Sequence, residues 1–99
     1  MNSNDTQIVP GLSVSTTGHA SVDSSIADVL FNLAIRLEET TALPVDVQHV
    51  VAALVLAARN CQLDPQKPLS CDDPVLATVL AVQLKTVFAV YGGKVGMDD

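Results

Sequence analysis

DPVLATVLAVQLKTVFAVYGG, residues 73–93, holds the start, body and stop of one helix. Asp73 can cap free backbone amides, and Pro74 suits the first helical position, where its missing N–H would have no partner anyway. Gly92-Gly93 supplies the left-handed backbone that ends the helix. Between these marks, Leu76, Leu80, Leu84, Val87, Phe88 and Tyr91 fall on one apolar stripe at helical spacing. Val75, Val79, Val82 and Val90 fall on a second stripe beside it. One stripe is enough to bury a helix against its own chain, so the second calls for another covering.

Moving upstream, residues 61–72 carry Pro65 and Pro68 and no helical period, so they read as an irregular connection pinned to the core by Leu63 and Leu69. Before them, Val47, Val50, Val51, Leu54, Val55 and Ala58 form the stripe of another helix, expected over Pro44 to Arg59 with Asp46 near its start and Asn60 as a left-handed stop. Ala52, Ala53, Leu56 and Ala57 make that helix apolar almost all round, which places it at the centre. Leu43-Pro44 separates it from a first helix, Ser24 to Thr41, whose stripe is Ile26, Val29, Leu30, Leu33, Ala34 and Leu37. Residues 1–23 show isolated apolar positions at Ile8, Val9, Leu12 and Val14 among Ser, Thr, Asn and Gly. Strands at Gln7–Val9 or Leu12–Ser15 are conceivable, but each is short and Pro10-Gly11 interrupts them, so the segment reads as a flexible tail. The expectation is an all-α three-helix domain over residues 24–91, with a loose terminus at 92–99.

Composition supports one small domain. The chain has 99 residues, 48% of them hydrophobic and 16% charged, which suits a packed core rather than disorder. Eleven acidic residues face five basic ones, and no Lys or Arg precedes Arg36, so the chain lacks the basic footprint of a nucleic-acid binder and the positive start of an export signal. The longest apolar run, Val50 to Ala58, has nine residues, against the roughly 18 to 20 of a membrane span. A cytoplasmic location follows, with Cys61 and Cys71 as free thiols and the Asn4-Asp5-Thr6 sequon unused.

Between Ser24 and Tyr91 there are twenty-nine Val, Ile, Leu, Phe, Tyr or Cys residues, whereas three lone helices with apolar stripes would use only about 21. The surplus predicts a homodimer whose interface draws on Val75, Leu76, Val79, Leu80, Val82, Leu84, Val87, Phe88 and Tyr91. The alternative covering is the loop or the tail folded over the surplus stripe. The expected role is a non-enzymatic interaction or regulatory module, with itself or another protein as partner and no cofactor.

Three chemistries compete with that reading. The first is a small-ligand or metal-binding helical bundle: Asp46 and His49 stand three apart on a helix, with Glu38 and Glu39 just before, a spacing related to carboxylate and histidine metal sites in helical bundles. A helix-start charge and a surface histidine explain the same residues. Cys61, Cys71, His49 and His19 have no zinc-finger spacing. A nucleophilic Cys71 or Cys61 is the remaining rival, and Asp72 and Asp73 beside Cys71 oppose the thiolate it would need. No phosphate loop, nucleophile elbow or zinc-protease helix is present.

Overall fold

The computed structural model describes residues 6–16 and 19–91, with side chains as far as Val90. Six elements follow one another: β1 (Thr6–Val9), β2 (Leu12–Val14), β3 (Ala20–Val22), α1 (Ser24–Thr41), α2 (Val47–Arg59) and α3 (Pro74–Tyr91). The strands form one antiparallel sheet in the order β1-β2-β3. The fold is therefore α+β, which corrects the all-α, helical-bundle expectation and replaces the flexible tail with a sheet wherever residues 6–23 are described.

The physical reason lies in two features that hide a strand signal. Pro10-Gly11, read above as an interruption, is the two-residue turn that joins β1 to β2. Proline presets one corner, and Gly11 takes the other at φ +93°, a left-handed conformation that suits glycine. The register pairs Gln7 with Ser13 and Val9 with Leu12, leaving Ile8 as a bulge. That extra residue cancels the alternation expected of a half-buried strand, so the consecutive Ile8 and Val9 are both buried. Leu12, also buried, completes the inner face.

The sheet is tied to the helices at several points. A Cβ on Gly11 would stand 2.9 Å from Cγ2 of Ile26 in α1, and the Asp23 N–H donates to the Gly11 carbonyl at 2.7 Å. Gln7 Nε2 donates to the Pro65 carbonyl at 2.7 Å, linking β1 to the long connection. Leu30, Leu33 and Leu37 of α1, Val50 and Leu54 of α2, and Leu76, Leu80 and Leu84 of α3 meet the sheet residues in one core.

Helix ends follow local hydrogen bonding. Asp23 caps α1 by accepting from the Ser25 N–H. Asp73 caps α3 by accepting from the N–H groups of Val75 and Leu76. The second helix begins at Val47 rather than Pro44, because Asp46 captures its free amides in a reciprocal cap. Its far end also differs from expectation. Asn60 has φ −92°, and the left-handed residue is Cys61 at φ +58°. The Gln62 N–H bonds back to the Ala57 carbonyl and the Cys61 N–H to that of Ala58, the paired pattern of a Schellman stop. α1 ends on another left-handed non-glycine, Ala42 at φ +60°.

Candidate functional site

Each residue of an α-helix advances about 100° around the axis, so residues 75, 78, 82, 86 and 89 fall within about 80° of one another on one face of α3. All five are exposed. Val75 is 69% and Val82 55% accessible, and Val90, on the flank, is 66% accessible. Thr78 adds little polarity, because its hydroxyl donates to the Pro74 carbonyl within the helix at 2.9 Å. Among the 18 residues of α3 the one charge is Lys85, and no acid is present. The result is an apolar, almost uncharged helix face directed to solvent on a chain whose net charge is −6.

The structure divides the sequence-derived interface residues into two sets. Leu76, Leu80, Leu84 and Val87 are buried in the chain's own core. Val79 and Phe88 are half-buried, and Val75 and Val82 face water. The Tyr91 side chain lies outside the described residues. The surplus stripe therefore projects outward, while the principal stripe closes the core.

A cavity of about 190 Å³ opens beside the first turns of α3, where Val75 and Val79 meet Val9, Leu63 and Leu69. Its polar lining is already committed. Gln62 Oε1 accepts from Nε2 of the buried Gln83 at 2.8 Å, and Lys67 Nζ lies 3.1 Å from Asp73 Oδ2. Hydrogen bonding from Lys67, reinforced by the Leu76 N–H, holds the Asp73 carboxyl below the ordinary aspartate value. Among the described residues no buried side-chain nitrogen or oxygen lacks a hydrogen-bond partner. The long connection thus partly covers the N-terminal half of α3 and leaves Val75 and Val82 open.

The residues singled out for metal chemistry serve the fold. His49 is buried, and its Nδ1 accepts from the Asp46 N–H at 2.8 Å. It fills the place that Glu or Gln takes in a capping box, so Asp46 and His49 close one helix start between them. The imidazole also packs on Phe88, with ring centroids 4.7 Å apart. Sequence reasoning placed His49 at the surface and missed this role; its position three residues after a capping aspartate was the available signal. Glu38 and Glu39 are exposed at the end of α1. Among the described residues no three His, Cys, Asp or Glu side chains converge as a metal cluster would. Cys61 is exposed, Cys71 is half-buried, and both are free thiols.

A second exposed apolar group escaped the stripe counting. Phe31 and Ile35 of α1 are 57% and 46% accessible. Both fall off the stripe that runs from Ile26 to Leu37, which was the sequence signal for them.

No helix of the described residues is long and apolar enough to cross a membrane. No family model matches the chain, and neither does any curated protein sequence or any solved structure.

Proposed function

We propose that this chain is a non-enzymatic protein-interaction module that acts as a homodimer in the cytoplasm, joined through the outward face of α3. The observation that carries the reading is an 18-residue helix with no acidic residue that keeps Val75, Val82 and Val90 in water. Burying a valine fully is worth roughly 1.5 kcal/mol or more, so leaving several in water is a large penalty for a domain of about 5 to 15 kcal/mol total stability.

A second copy is the occupant that the charge distribution favours. All eleven acidic residues lie outside α3, so two copies meeting elsewhere would set carboxylates against carboxylates, which costs affinity. Meeting through α3 avoids that repulsion. A two-fold contact uses the same patch twice, and a small uncharged face suits such self-matching. The aliphatic stem of Lys85 can lie along the contact while its ammonium stays in water.

Light scattering on the eluting protein tests this reading. The expected mass is twice the 10.4 kDa of one chain, and Val82→Lys should halve it without changing helix content, because two like charges would then oppose each other. A wild-type chain that remains monomeric at about 100 µM, well above the dissociation constants of specific dimers, overturns the proposal.

A further inference from the structure

We propose that the outward face of α1 is a docking site for a basic amphipathic helix of another protein. Phe31 and Ile35 are one helical turn apart and both more than two-fifths exposed, so they form a single apolar ridge. Asp28 lies three residues before Phe31, and Glu38 and Glu39 lie three and four residues after Ile35. All three acids are exposed. At these spacings they flank the ridge at both ends, giving an apolar centre with an anionic rim. The one cation of α1, Arg36, does not neutralise it. Arg36 sits about 100° around the helix from Ile35 and about 140° from Phe31, and its guanidinium reaches Asp72 at 3.5 Å.

Charge decides among occupants. Phosphate backbones and anionic lipid surfaces would be repelled by the rim. A second copy fits poorly, because α1 would meet its own acids and α3 offers only Lys85. A helix with two or three large apolar side chains framed by Lys or Arg matches both the ridge and the rim, with Phe31 as the aromatic anchor such contacts favour. Arg36 marks the side of α1 nearest the start of α3, and Phe31 points well away from it. Occupation of one face therefore leaves the other open.

The test is fluorescence anisotropy of the full-length chain with a labelled helical peptide of about 18 residues, long enough for five turns, with Leu at positions i, i+3, i+4 and i+7 and Lys elsewhere. Binding should weaken about tenfold or more in Phe31→Ala, the loss expected of an anchor side chain. Asp28→Asn with Glu38→Gln and Glu39→Gln should weaken it comparably and flatten its salt dependence. The same three-unit change in net charge made off α1, by Asp64→Lys with Gln66→Lys at exposed positions of the long connection, should change it less than about twofold, since charges away from the ridge are screened. Val82→Lys should leave it unchanged, which separates this proposal from self-association. The proposal is overturned if a scrambled peptide binds equally well, if Phe31→Ala binds like wild type, or if the two charge-altered proteins behave alike.

Discussion

α2 and α3 are drawn from nearly the same residues, yet the chain treats them differently. α2 packs against α1, α3 and β1, and none of its large apolar side chains is exposed. α3 packs on α2 and α1, and three of its valines stand in water. The difference shows that apolar content states how much surface a helix must cover, while its neighbours decide whether the same chain covers it. The sheet packs on α1 through Ile26 and on α2 through β1, and Gln7 ties it to Pro65 within the long connection. α3 received the partial cover of Val9, Leu63 and Leu69, and its remaining face stands in water.

The contrast can be broken most directly by truncating one residue from each helix. Leu54→Ala should cost about 2 to 5 kcal/mol, because the cavity forms in a closed core. Val82→Ala should cost less than about 0.5 kcal/mol when measured in urea at concentrations low enough to keep chains apart. Equal losses would mean that α3 is as enclosed as α2.

The next effect concerns why the sheet covers one side. Gly11→Ala must accept both a left-handed backbone and a methyl group 2.9 Å from Ile26 Cγ2. A loss of about 1 to 3 kcal/mol in a single cooperative transition is expected. Loss of the sheet signal alone, with the helices melting as before, would show that the sheet is an appendage.

A smaller effect tests the cap that starts α3. The Asp73 carboxyl is held below its ordinary value of 3.8, chiefly by Lys67. A depressed folded value means that the stabilisation is fully present above the unfolded value and is lost as pH falls through the folded one. Wild type should therefore lose stability below about pH 4 more steeply than Asp73→Asn, as followed by acid titration of the helix signal. Parallel curves would remove the Lys67 contact from the account.

The smallest expected changes are gains. Ala42→Gly and Cys61→Gly replace left-handed non-glycine residues that end α1 and α2. Each should raise stability by about 0.5 to 1 kcal/mol. A loss at Cys61 would show that its thiol packs usefully at the helix stop.

The helices were legible because their signals repeat. A stripe at three- and four-residue steps, with Asp23, Asp73 and prolines at the boundaries, marks a helix many times over. The sheet was not legible because each of its strands is three or four residues long and the bulge at Ile8 erased the alternation in one of them. Pro10-Gly11 was visible but ambiguous, since the same pair ends a strand or joins two. Of the candidate site, the two α3 stripes were readable, but only packing could say which one turned inward. His49 was misplaced because a histidine in the third position after a capping aspartate resembles a solvated polar residue until its Nδ1 is seen accepting from Asp46.

The self-association claim is tested most directly by residue-resolved nuclear magnetic resonance over a dilution series from about 1 mM to 10 µM, a range that brackets weak and moderate dimers. Amide and methyl signals of Val75, Thr78, Val82 and Thr86 should shift together with concentration, while those of Val50 and Leu54 in α2 stay fixed. Spectra that do not change on dilution while the eluting mass is that of one chain, or shifts that centre on Phe31 and Ile35 instead, would contradict a dimer built on α3.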